Sequence, residues 1–246
     1  MRRLTGYLLA TLIVGTAWGI TAIVVDSAVL PTPWASLPMI IQHLDRLVPD
    51  FLISLYRVLA AMLIGTLLAM PLGLINGRSP KLDSFCGPLL YLLYPIPKIV
   101  LLPVLLVLLG LGNAPKIALI AITIFFQVLV TVRDAAKTVP EAAVASIRAL
   151  GASRFDVFWH VVLPASLPEL FTALRISSGT AVAILFFAEA IAGSTGLGYF
   201  IVNNWALINY PAMFAGIVSM ALLGVVLYEC FDFLEHRLTR YRQSVS

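Results

Sequence analysis

An all-α integral membrane protein is the fold class this sequence predicts, and three observations predict it. Of 246 residues, 61% are apolar and only 11% are charged, far below the roughly one-quarter charged content of soluble domains. The apolar residues gather into helix-length runs, and the ten-residue alternation of polar and apolar residues that marks a membrane β-barrel is missing. Six such runs can be read, which puts both termini on one side. The expected architecture is a single transmembrane domain over residues 1–246, with helices at about 7–25, 51–75, 87–111, 116–137, 172–192 and 212–233. A polar stretch at 139–170 separates the fourth helix from the fifth.

The first run follows Arg2 and Arg3 and carries Gly15 and Gly19 at GxxxG spacing, which allows two helix backbones to approach closely. A signal peptide has a shorter apolar region and a small-residue cleavage site, so this run reads as a retained helix. Residues 26–50 form a loop containing Pro31, Pro33, Pro38 and Pro49, with room for a short interfacial helix around 37–47. The second run holds Arg57 near its start and Pro71 near its end, and closes on the turn N-G-R-S-P at 76–80. The third contains Pro88, Pro95, Pro97 and Pro103. Each proline removes a backbone donor and clashes with the preceding turn, so this helix is expected to be kinked. Broken backbone at membrane depth is tolerated where it is packed in protein or lines a wet cavity, which makes the third helix a pathway candidate. After the turn G-L-G-N-A-P at 110–115 comes the fourth run, and later a fifth that opens near Arg175 and closes near Glu189. Residues 193–211 have no charge but include Tyr199, Trp205 and Tyr210, the aromatic composition of a membrane interface. The sixth run leads into a tail with His236, Arg237, Arg240 and Arg242.

Positive charge sets the orientation. With the N-terminus in the cytoplasm, all of the 16 lysines and arginines except Arg46, Arg57, Lys98 and Lys116 fall at cytoplasmic ends or loops, a positive-inside bias. This bias explains the net charge of +4 without a nucleic-acid partner. It also places the 139–170 stretch in the cytoplasm.

Within that stretch Arg148, Arg154, Asp156 and His160 alternate with Ala, Phe and Trp at helical spacings. The pattern predicts two short amphipathic helices, broken near Gly151 and stopped before Pro164. Ile147, Leu150, Phe155, Phe158 and Trp159 would form an apolar knob ringed by basic residues, suited to a groove on a soluble partner. An interfacial helix pair resting on lipid headgroups fits the pattern equally well. The glycine of such a break is expected in the left-handed region, as glycines after helices often are.

Several chemistries are excluded. No G-x-x-x-x-G-K-[ST] and no H-E-x-x-H occurs, so the chain carries neither a nucleotide cradle nor a metalloprotease site. Gly193, Gly196 and Gly198 follow an apolar helix, where a phosphate loop would follow a strand. His43, His160 and His236 lie in different loops, and Cys86 and Cys230 show no ligand spacing. No catalytic residue, cofactor or metal is therefore expected. Arg57, Lys98, Arg175 and Glu189 sit within apolar runs, where a charge costs about 2.5–3.5 kcal/mol on insertion scales and marks a pathway or a buried pair. Lys98 is the foremost pathway candidate, with Arg57 and Glu189 beside it. A structural pair of Glu189 with Arg57 is the competing reading.

The E-A-A…G…L-P region, with Gly151, Ala152, Leu163, Pro164 and Pro168 in register, resembles the cytoplasmic signature of permease subunits of bacterial ABC importers. The resemblance extends through S-L-Y-R-V-L-A at 54–60, P-L-G-L at 71–74, Y-P-I-P-K-I-V-L-L-P at 94–103, L-G-L-G at 109–112 and A-E-A-I-A-G-S-T-G-L-G-Y at 188–199. Together these are similar to the subgroup of aliphatic sulfonate, taurine and nitrate permeases. One position departs: the family's glutamate stands six residues before the glycine, where this chain has Ala145, and the literal E-A-A begins at Glu141. Glu141 and Ala145 share a helix face at i, i+4, so Glu141 is a candidate to supply the contact from one turn earlier.

The resemblance implies a type I importer fold of six helices in the bacterial inner membrane, with a cytoplasmic coupling-helix loop at 139–170. It implies a homodimer, two separate ATPase subunits that carry the hydrolysis, and an external substrate-binding protein. Glu141, Ala145, Leu150, Gly151, Ala152, Phe155, Phe158, Trp159 and Pro164 are the implied ATPase-coupling residues. The implied substrate is a small anion such as a sulfonate, taurine or nitrate, with a vitamin precursor or flavin as the alternative. An autonomous secondary transporter or channel is the rival class. Its expected pointer, an internal inverted repeat, is not seen.

Overall fold

The computed structural model describes residues 2–239, and no strand occurs among the described residues. Arg240 and Arg242 of the basic tail, and the side chains of Arg2 and Arg3, lie outside the described residues. In order the helices are α1 (Arg2–Val25), α2 (Pro33–Gln42), α3 (Leu44–Arg78), α4 (Pro80–Leu93), a 3₁₀ turn (Lys98–Leu101) and α5 (Leu102–Leu109). They continue with α6 (Ala114–Thr138), α7 (Glu141–Ala149), α8 (Arg154–Val157), a π turn (Phe158–Val162), α9 (Leu163–Ala192), α10 (Leu197–Ala206) and α11 (Tyr210–Leu238). Five helical stretches are long and apolar enough to cross a membrane, and six if α4 with Lys98–Leu109 counts as one bent span. At 1.5 Å per residue, the 35 residues of α3 cover about 50 Å against a hydrocarbon core of about 30 Å, so its ends project past the apolar layer.

Three expectations about helix limits are corrected. The short helix expected around 37–47 ends at Gln42, and the second helix, expected from 51, is α3 and already begins at Leu44. The third helix, expected over 87–111, is two helices that meet at a bend of 82°. The residues between them are Tyr94, Pro95, Ile96 and Pro97, and the two prolines remove two donors, on either side of Ile96, from the ladder. The fifth helix does not begin near 172, nor does the preceding segment stop before Pro164: helix runs unbroken over Arg154–Ala192. The π turn makes this possible, because the Leu163 N–H reaches back five residues to the Phe158 carbonyl. Pro164, which has no N–H to donate, follows directly on this widened turn.

Chain contacts define two units. The first comprises Met1–Ser54 and Glu189–Leu222. Within it Trp18 of α1 stacks on Phe214 of α11 with ring centroids 5.5 Å apart, and its indole N–H donates to the Pro31 carbonyl at 2.9 Å. His43 meets Phe200 of α10 edge to face. The Trp18 contacts anchor an α1 that is otherwise apolar and exposed along most of its length.

The second unit comprises Leu55–Ala188 and Leu223–Ser246. Its spine is α6, whose Leu119, Ile120, Ile124, Val128, Val132 and Ala136 are fully or almost fully buried. Glycines on α3 let the two backbones meet: an added Cβ would lie 2.8 Å from the Ala121 carbonyl oxygen at Gly65 and 3.0 Å from that of Leu129 at Gly73. Gly77 faces the Arg133 carbonyl still more tightly. Spacings of eight and four residues keep the three on one helical face. This is the small-residue packing that brings membrane helices together where hydrophobicity offers no drive. Leu102 packs with Leu119 and Ala188 beneath the bend.

Candidate functional site

Helix α7 ends by the rules of a glycine-terminated helix. Gly151 has φ +88°, the Gly151 N–H donates to the Arg148 carbonyl, and the Ala152 N–H donates to that of Ile147, the paired bonds of a Schellman closure. The left-handed glycine expected from the sequence is thus what the backbone adopts. Immediately after it, Ser153 and Asp156 form a capping box that starts α8: the Ser153 Oγ accepts from the Asp156 N–H, while the Asp156 carboxylate accepts from the Ser153 N–H at 2.9 Å. A stop and a start so close together hold the α7–α8 corner in one geometry.

That corner exposes Leu150 (87%), Phe155 (71%) and Trp159 (54%), the last two with stacked rings 6.1 Å apart. Of the five side chains expected in the knob, Ile147 and Phe158 are half-buried and do not project with the others. Val144 and Val157 are buried. A groove of ≈ 460 Å³ is lined by Arg78, Arg148, Arg154 and Phe158 among others.

Glu141 and Ala145 are both exposed. Glu141 pairs with Arg78 at 2.7 Å, and Arg78 also donates to the Val139 carbonyl at 3.3 Å. The glutamate therefore ties the start of α7 to the end of α3. Neighbouring basic residues are tied down in the same way. Arg133 and Lys137 share Asp83, and Arg175 binds Asp232 at 2.6 Å and Glu235 at 3.2 Å. Such pairing is what permits guanidinium groups to enter a helical bundle.

In the first unit Glu189 is fully buried, as is Ser54. The Ser54 hydroxyl lies 2.8 and 2.9 Å from the two carboxylate oxygens and accepts the Leu197 N–H at 2.9 Å. Gly198 N–H donates to Glu189 at 2.9 Å, and Gly196 N–H to the Asp50 carboxylate at 2.6 Å. Thus the Gly196, Leu197 and Gly198 donors at the start of α10 find acidic or hydroxyl acceptors, the environment a helix N-terminus favours. The sequence had not marked Asp50 or Ser54 as partners of this turn. Their only signal was Ser54 at the head of a family-like motif.

In the second unit Arg57 is 2% exposed and its Nε donates to Asn113 Oδ1 at 2.9 Å. Lys98, expected near mid-helix, opens the 3₁₀ turn at the bend. Its buried Nζ donates to the carbonyls of Leu93 and Tyr94 at 2.7 and 2.6 Å and stands 4.7 Å from the Phe126 ring centroid. The ammonium thus adds a donor to the last carbonyls before the bend, of which that of Leu93 also accepts the Ile96 N–H at 3.3 Å. It also borders a cavity of ≈ 170 Å³ lined by Tyr94, Ile96, Thr123, Phe126, Gln127 and Ile184. Gln127 carried no signal at the level of sequence.

A family model described as "Binding-protein-dependent transport system inner membrane component" matches residues 58–240. The taurine transport system permease protein TauC of Escherichia coli strain K12 is 33% identical over 78% of this chain and 70% of its own length. The putative aliphatic sulfonates transport permease protein SsuC of Bacillus subtilis strain 168 is 29% identical, covering 90% of this chain and 81% of its own. Among solved structures, an inward-facing form of the MetNI methionine ABC transporter superposes with TM-score 0.66 at 22% identity, over 78% of this chain and 96% of that one. At this identity the superposition establishes the fold, that of a type I importer permease.

Proposed function

The chain belongs to the binding-protein-dependent transport system inner membrane components, and on that premise we propose that it is the permease subunit of an ATP-driven importer of small sulfonates such as taurine. As a multi-pass membrane protein it forms the translocation path, serving as one transmembrane domain with both termini in the cytoplasm. ATP hydrolysis belongs to separate subunits, two copies of the chain pair in the membrane, and a substrate-binding protein delivers the cargo. The sulfonate reading is supported by the relatives named for taurine and aliphatic sulfonates. The orientation is supported by the positive-inside bias of the loops.

One observation carries the coupling role: Leu150, Phe155 and Trp159 stay exposed on a corner whose backbone is locked by Gly151 and Ser153. Ordered, exposed aromatics without intrachain cover are what a helix-in-groove contact requires. Ala145, Ala152 and Pro164 shape the corner, with Phe158 and Leu150 at its flanks. Glu141 takes the place of the glutamate absent at Ala145, acting from its bridge to Arg78. Among the pathway candidates Arg57, Lys98 and Glu189, Lys98 faces a cavity, while Glu189 is engaged in capping α10.

The test replaces Phe155 and Trp159 by Asp and measures how much ATPase co-purifies with the tagged chain. Two central aromatics lost from an interface cost about 2 kcal/mol or more each, so affinity for the ATPase falls ~30-fold for one and ~1000-fold if the two losses add, and capture falls with it. Undiminished capture together with undiminished transport would refute the coupling assignment.

A further inference from the structure

Lys98 and Gln127 present two opposite unmet needs to one cavity. The lysine is 8% exposed, and its partners among the described residues are carbonyl oxygens and aromatic rings, with no carboxylate. Neutral carbonyls accept two of its three N–H bonds, and the unit charge stays uncompensated in a region that solvates it poorly. Across the same ≈ 170 Å³ cavity, the Gln127 Oε1 is buried and has no hydrogen-bond partner, while its amide nitrogen reaches Thr180 Oγ1 at 3.4 Å. An orphaned buried acceptor carries a desolvation cost until a donor arrives. Thr123, on the same face of α6 one turn before Gln127, spends its proton on the Leu119 carbonyl at 3.0 Å, so its oxygen can only accept from a ligand.

We propose that this cavity is a substrate subsite for a short zwitterion with a sulfonate at one end and an ammonium at the other. The sulfonate oxygens accept the third N–H of Lys98. The ligand ammonium donates to Gln127 Oε1 and Thr123 Oγ1. Phe126 and Tyr94 wall the site, with the Phe126 ring centroid 4.7 Å from the Lys98 ammonium. Gln127 thereby distinguishes an aminosulfonate from a plain alkanesulfonate, because a site built around a ligand's N–H penalises an analogue that lacks it. The inference rests on the sulfonate reading above and adds the residue that selects for the amine.

Equilibrium dialysis of the purified complex of this chain with its ATPase, using labelled taurine and labelled ethanesulfonate, reads the subsite without the binding protein. Gln127→Leu is expected to lower the taurine-to-ethanesulfonate affinity ratio about tenfold, the loss of one charge-assisted hydrogen bond. Lys98→Met is expected to weaken both ligands. If the leucine variant does not assemble, Gln127→Met, with an unbranched chain of similar length, takes the same reading. An unchanged ratio in the variant overturns the proposal, as does absence of taurine binding to the wild-type complex. Taurine uptake by cells carrying the whole importer separates the two ways of failing. Uptake without binding at this cavity removes the subsite and leaves the importer reading in place. Uptake of neither sulfonate removes the substrate reading and the subsite with it.

Discussion

Ser54→Ala is a small change at a position with no slack. The side chain is fully buried, and its hydroxyl both donates to Glu189 and accepts the Leu197 N–H. Alanine fits the space, so no steric penalty enters. What is lost is one hydrogen bond to a carboxylate, worth about 1.5–3 kcal/mol, and the Leu197 N–H is left buried without an acceptor, at about 1–3 kcal/mol. Partial relaxation brings the sum to about 2–5 kcal/mol, concentrated at the first turn of α10. Hydrogen exchange at the Leu197 and Gly198 amides is the direct assay, since local opening there governs their protection. A loss of about 2 kcal/mol corresponds to exchange ~30-fold faster, while amides of α6 in the other unit keep their rates. If Leu197 exchanges at its wild-type rate in the variant, the hydroxyl does not cap α10 and the account of Ser54 as the acceptor of that donor is refuted.

Gly73→Val places a branched side chain against the Leu129 carbonyl and Val132; overpacking of about 1–3 kcal/mol is expected, read as a lower thermal midpoint of the detergent-solubilised chain. Gly151→Val puts a β-branched residue at φ +88° with open space around it, so strain of about 1–2 kcal/mol should loosen the α7–α8 corner and reduce ATPase co-purification without unfolding the spans. Glu141→Ala removes a bridge whose acidic partner is 80% exposed, so chain stability should move by less than about 1 kcal/mol. A clear fall in ATPase capture with that small stability change would mark Glu141 as a docking residue, and unchanged capture would leave it a tether for Arg78.

Much of this molecule is local chemistry, and local chemistry is legible in a sequence. Runs of about twenty apolar residues can satisfy their backbone groups only by coiling into helix, so composition and run length were enough for the class and for most spans. The end of α7 was equally readable, because Gly151 can occupy the left-handed region at little steric cost. Proline content foretold trouble in the third span, and yet its form, a bend of 82° between two helices, could not be read from the number of prolines. The continuity of 154–192 was missed because Pro164 reads as a stop until a π turn shifts the hydrogen-bond register ahead of it. What tertiary structure alone decided is the pairing of polar groups far apart in the chain: Ser54 with Glu189, 135 residues away, and Asp50 with Gly196, 146 away. Lys98 and Gln127 likewise meet at one cavity only because the bend at Pro95 and Pro97 turns the chain against α6. A hydrogen bond is satisfied by whatever the fold brings within about 3 Å, and nothing in the spacing of residues along the chain records that distance.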